Sequence, residues 1–186
     1  MNVMKKYWDT VYLWYLVLTP LACLSAAIYY TIGKCCGIYE HTSWSCVLVF
    51  DGSQVIYLLV ADILIFMKKR EKLAADIFFQ VLRWYITVIL MLQFSLIMLW
   101  FPKNFTWGCT FLFLLVIMFF FDMKIILLNW CGYLMIAVIA HLLYPKEHLS
   151  DGSGISVESL VFRLIIFLLY SILLLALTYY ADKFIR

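Results

Sequence analysis

The feature that most constrains this chain is its division into apolar runs, at about residues 11–32, 45–67, 84–101, 105–121, 125–144 and 158–181, parted by short polar segments. About 20 helical residues cross the ~30 Å hydrocarbon layer of a bilayer. There the backbone must satisfy its own hydrogen bonds, so each run is expected to be a helix. Apolar residues make up 67% of the chain and charged residues 13%, against about 45–50% and about 25% in soluble domains. The expected fold is therefore an all-α integral membrane protein, a single polytopic domain over residues 1–186 with six transmembrane helices. The lipid bilayer is its first partner, and a net charge of +3 gives no reason to expect nucleic acid.

The polar segments set the orientation. Lys5 and Lys6 precede the first run, where Tyr7 and Trp8 suit a headgroup interface. That run exceeds the ~7–15 residues of a signal-peptide core, and Pro20 within it predicts a kink. Gly33 to Trp44 is a loop, and Lys68-Lys69-Arg70-Glu71-Lys72 follows the second run. Leu73 to Arg83 reads as an interfacial extension, broken by Asp76, Gln80 and Arg83, that leads into the third span at Trp84. Only Asp122-Met123-Lys124 separates the fourth and fifth spans, which predicts a tight hairpin with Asp122 capping the fifth helix. Pro145 to Val157 is the longest polar loop, turning at Asp151-Gly152-Ser153-Gly154. With six spans, one face of the membrane receives nine Lys/Arg residues (Lys5, Lys6, Lys68, Lys69, Arg70, Lys72, Lys124, Lys183 and Arg186) and the other three (Lys34, Lys103 and Lys146). The positive-inside rule then places both termini in the cytoplasm, with the chain in the cell membrane.

The second span carries Asp51, Gln54 and Asp62 in an otherwise apolar sequence. At ~100° per residue, Asp51 and Asp62 fall within about 20° of each other and Gln54 about 60° to one side. A carboxylate in hydrocarbon is costly, so this face is expected to meet protein or a wet cavity. Arg163 in the sixth span lies at the depth of Asp51, and His141 in the fifth at a comparable depth. Asp51, Gln54, Tyr57, His141 and Arg163 are therefore candidate ligand-binding residues of a small, partly polar outer-leaflet pocket, with Tyr170 near the same face and Glu158 at the mouth. The alternative is that an Asp51–Arg163 pair only fixes helix order and register. Asp62, near the basic segment, reads as an interfacial carboxylate, and Gln93 and Asn129 as interhelical hydrogen-bonding groups.

Catalysis and metals find little in the sequence. Gly152-Ser153-Gly154 lacks nucleophile-elbow spacing, and His41, His141 and His148 fall in different elements. Cys35, Cys36 and Cys46 lie where a disulfide is permitted, but with Glu40 and His41 they match no zinc pattern. Independent thiols, no enzyme, no metal and no cofactor are expected.

Lys6-Tyr7-Trp8-Asp9, Trp107-Gly108, Phe120-Phe121-Asp122-Met123-Lys124, Arg163 and Leu177-Thr178-Tyr179-Tyr180-Ala181-Asp182-Lys183-Phe184 together resemble the six-helix membrane halves of bacterial signalling proteins. In those proteins the sixth helix leads into a chemoreceptor- or cyclase-type output domain. This chain ends where that domain would begin, so the resemblance implies a sensory input module acting through a membrane or cytoplasmic signalling partner. Six spans in 186 residues, with a small-xxx-small pair at Ala22 and Ala26, also resemble the substrate-binding subunits of energy-coupling vitamin transporters. A structural membrane protein without a ligand is the third reading.

Overall fold

The computed structural model describes residues 3–70, 75–103, 106–118, 120, 122–149 and 157–185, with only the backbone of residues 3–13, 16, 20, 69, 75, 76, 182, 184 and 185. The described residues form helices and turns, with no strand: α1 (Val3–Cys35), α2 (Trp44–Lys69), α3 (Ala75–Trp100), a 3-10 turn (Thr106–Gly108), α4 (Cys109–Met118), α5 (Met123–Leu143), α6 (Pro145–Leu149) and α7 (Val157–Ile185). The long helices are covered in apolar side chains that face outward. Leu48, Ile56 and Ile172, for example, are each at least 60% exposed, on a scale that a water-soluble surface does not tolerate. Five stretches are long and apolar enough to cross a membrane: Val17–Cys35, Trp44–Lys68, Ile77–Trp100, Met123–Leu143 and Val157–Ala181. The chain is thus an all-helical, multi-pass type of membrane protein.

Two expected elements differ. Among the described residues, the run at 105–121 contains an apolar helix over Thr106–Met118, which spans ~20 Å, against the ~30 Å of a hydrocarbon core. Local hydrogen bonds gather at its start. The Lys103 N–H donates to Thr106 Oγ1 at 3.1 Å, the Thr106 hydroxyl donates back to the Lys103 carbonyl, and Thr110 Oγ1 donates to the Trp107 carbonyl at 2.6 Å. Such side-chain bonds compete with the regular ladder. At the far end Phe120 N–H closes a turn on the Ile117 carbonyl at 3.0 Å. The stretch expected as an interfacial extension before Trp84 is instead part of α3 from Ala75 onward. No Gly or Pro interrupts it, and residues 76, 80 and 83 fall on one helical face. The predicted kink at Pro20 and the turn at Asp151 to Gly154 concern side chains or residues outside those described.

The chain divides into two compact units, Met1–Tyr85 and Ile86–Arg186. In the first, α1 packs along α2. α1 ends in a Schellman motif: Ile38 N–H donates to the Gly33 carbonyl at 2.9 Å and Gly37 N–H to the Lys34 carbonyl at 3.1 Å, with Gly37 at φ +77°. That left-handed position suits glycine. The Tyr39 ring then folds back over Gly33, where an added Cβ would lie 2.7 Å from it, and Tyr39 joins Tyr29, Tyr30 and Phe50 in an aromatic cluster. Ser43 caps α2 by accepting from Cys46 N–H at 3.2 Å.

In the second unit, Phe94 of α3 meets Tyr133 of α5 and Phe113 of α4 edge-on, at 5.0 and 6.1 Å. Trp130 of α5 stacks on Phe167 of α7 and donates to Ser171 Oγ at 2.6 Å. Tyr170 of α7 donates to the Phe111 carbonyl of α4 at 2.9 Å. Asp122 caps α5, accepting from the Lys124 and Ile125 N–H groups at 3.0 and 3.4 Å, as its place in the sequence leads one to expect. Pro145 opens α6, where its fixed φ and missing N–H suit a first helical position. This short helix lies in what reads from the sequence as the start of a loop, and it packs on α5 and α7.

Candidate functional site

The second unit holds a cavity of about 380 Å³ lined by apolar groups from α4, α5, α6 and α7, among them Leu134, Leu142, Leu160 and Phe167, with His141 and Arg163 in its wall. Arg163 lies six residues into α7, ~9 Å from its start. It is only 6% exposed. Its guanidinium carbon sits 5.4 Å from the centre of the Trp107 ring, a cation–π arrangement that gains strength when desolvated. Its Nη1 approaches His141 Nε2 at 3.4 Å.

The hydrogen bonds assign both histidine tautomers. A guanidinium only donates, so His141 Nε2 is the acceptor. His141 Nδ1 therefore carries the proton and donates to the Ala137 carbonyl, 2.7 Å away. His148, on α6, is fully buried and lies 3.1 Å from the Met98 carbonyl through Nε2. A carbonyl only accepts, so Nε2 carries a proton, which leaves Nδ1 as the second ring nitrogen. That Nδ1 is buried and has no hydrogen-bond partner among the described residues. The two imidazoles stack at 4.9 Å and 26°. Burial, and next the neighbouring His141, push His148 down to about 4, so it is neutral at neutral pH. Among the described residues, the site sets a buried arginine beside two imidazoles at the edge of an apolar space.

The sequence-derived candidates divide between the units. His141 and Arg163 meet in the second. In the first, Asp51 Oδ2 accepts from Thr31 Oγ1 of α1 at 2.8 Å, while its Oδ1 is buried without a hydrogen-bond partner among the described residues. Gln54 is buried and donates to the Phe50 carbonyl at 3.3 Å and to Ser53 Oγ at 3.2 Å. Tyr57 is buried, and its carbonyl accepts from Tyr85 OH of α3 at 2.6 Å. The expected Asp51–Arg163 pairing joins the two units and stands as an expectation. Asn129, read as an interhelical group, donates within its own helix to the Ile125 carbonyl at 2.8 Å. Asp62 is exposed.

Trp107 and His148 belong to the site, but their spacing in the sequence does not point to it. Pro145 followed by Lys-Glu-His is the available signal for a short helix that turns His148 inward. All six cysteines are free thiols, and among the described residues no three His, Cys, Asp or Glu side chains gather as a metal site would require.

No protein-family model matches this chain, and no curated protein or solved structure is significantly similar to it. Of the resemblance to bacterial signalling proteins, the helical, membrane-type character is what the structure shares.

Proposed function

We propose that this chain is a six-span membrane protein with both termini in the cytoplasm, and that its second unit is a receptor-like input module which binds a small molecule and acts through a partner. The observation that carries the reading is the cavity of about 380 Å³ with Arg163 and His141 in its wall. Its size lies within the range of small-molecule sites, as does its pattern of apolar walls and few polar groups. Ligand in this cavity touches α4, α5, α6 and α7 together, so it favours whichever packing of these helices it binds more tightly. A shift of α7 carries to its far end at Ile185, where a partner can read it.

The test is thermal unfolding of the purified full chain against a metabolite panel, with Val138→Phe as the filled-cavity control. The wild type is expected to gain stability with at least one compound, and the variant to fold but lose that response. If both respond alike, or neither responds, the cavity is not a ligand site. A hit that accumulates in cells only with an energising ATPase module would favour the vitamin-transporter reading instead.

A further inference from the structure

We infer that the cavity takes an uncharged, apolar molecule dissolved in the bilayer, a compact hydrocarbon skeleton that enters sideways between α5 and α7. The inference rests on the reading of this cavity as a ligand site and adds the chemical class.

Polarity selects the class. Thr110, His141 and Arg163 are the lining residues with hydrogen-bonding side chains outside the Trp107 ring, and the protein itself engages each of them. The Thr110 hydroxyl donates to the Trp107 carbonyl at 2.6 Å, His141 Nδ1 donates to the Ala137 carbonyl at 2.7 Å, and Arg163 meets His141 Nε2 and the Trp107 ring. What faces the space is therefore almost wholly carbon. A charged or hydrogen-bonding group set against carbon gives up its former partners and gains none. A molecule arriving from hydrocarbon gains by close packing instead, so shape decides among apolar candidates.

Size and route follow from the wall. An apolar cavity of ~150 Å³ holds benzene. The present one, at about 380 Å³, has room for ~15 carbons on the same measure. Along α5 the wall runs from Leu134 to Leu142, ~12 Å, less than the ~15 Å of one leaflet that a bilayer lipid chain occupies. A ring system or branched skeleton fills such a space better than an extended chain. Val138, Leu142 and Leu164 line the cavity and are also exposed. The wall is thus continuous with the lipid-facing surface, and the ligand reaches it from within the membrane.

The experiment uses the full chain in phosphatidylcholine nanodiscs, with a photoreactive diazirine of adamantane as a compact neutral probe. Adamantane, adamantanecarboxylate and aminoadamantane serve as competitors at equal mole fraction in the bilayer. Saturable labelling is expected within residues 134–142 and 160–167, displaced by adamantane and at least ~10-fold less well by either charged analogue. Val138→Phe and Ala137→Phe fill the space and should each remove the saturable part. If the carboxylate or the amine displaces the probe as well as adamantane does, the apolar class is overturned and the ligand site stands. Labelling that is spread evenly over the lipid-facing helices, or that neither filling variant changes, would overturn the inference itself. Should both variants fail to fold, the ranking of the three competitors on the wild type decides alone.

Discussion

His148 gives a pH dependence whose sign and window follow from its surroundings. It is fully buried, donates through Nε2 to the Met98 carbonyl of α3, and stacks on His141 of α5. Arg163 of α7 and Glu147 beside it on α6 are the other charged groups that act on it. In the folded protein it is held at about 4, against 6.5 for an ordinary histidine. Between these values the unfolded chain binds more protons than the folded one, so stability rises with pH across that window. The contribution is complete above about pH 6.5 and is lost as pH falls towards 4. A gap of that size is worth at most ~3 kcal/mol, which at ~2–4 °C per kcal/mol for a chain of this length lowers Tm by up to ~10 °C. The assay compares thermal unfolding of the wild type and His148→Gln from pH 8 to pH 4. Glutamine retains an N–H donor for Met98 and does not titrate. The wild type should lose more stability than the variant between pH 6.5 and 4, with the two curves parallel above that range. Parallel curves throughout would show that His148 has no depressed titration and that its burial against Met98 and His141 is misjudged.

Four further outcomes follow from local geometry. Gly33→Ala drives a Cβ to 2.7 Å from the buried Tyr39 ring and should cost ~1–3 kcal/mol by overpacking, read as a lowered Tm. Gly52→Ala, where nothing lies within 4 Å, should raise stability by up to ~1 kcal/mol through helix propensity. Asp122→Ala removes the α5 cap that holds Lys124 and Ile125 and should cost ~1 kcal/mol, again by thermal unfolding. Reporter fusions at the two ends should both report the cytoplasm if the Thr106–Met118 helix crosses the membrane with its flanks, and opposite sides if it does not.

Most of the fold is legible in the sequence because bilayer thickness converts directly into run length. The same logic explains where reading falls short. Hydropathy does not see hydroxyls bonding to a nearby backbone, as Thr106 does to Lys103 and Thr110 to Trp107 at the start of the α4 region. Polar residues weigh against a span in any hydropathy window, although they interrupt nothing when they fall on one face. Gln80 and Arg83 therefore mark a break in the sequence where α3 has none. Asp122 was readable because a cap is a local device, decided within three residues of the chain.

The site was legible only where depth and neighbourhood coincide. Counting residues from the span ends puts His141 and Arg163 at similar depths, and the short α6 between α5 and α7 keeps those helices in contact. In the first unit a hydroxyl on the adjacent helix, Thr31, meets one oxygen of Asp51. Threonine in an apolar helix attracts little notice beside an arginine, yet its Oγ1 needs no second charge to be buried. Trp107 escapes notice for a related reason. Near a span end it suits an interfacial anchor, and only its contact with Arg163 shows that its face holds a cation. Among the described contacts, an indole and an imidazole face Arg163 and a hydroxyl faces Asp51, and hydropathy treats all three groups as background.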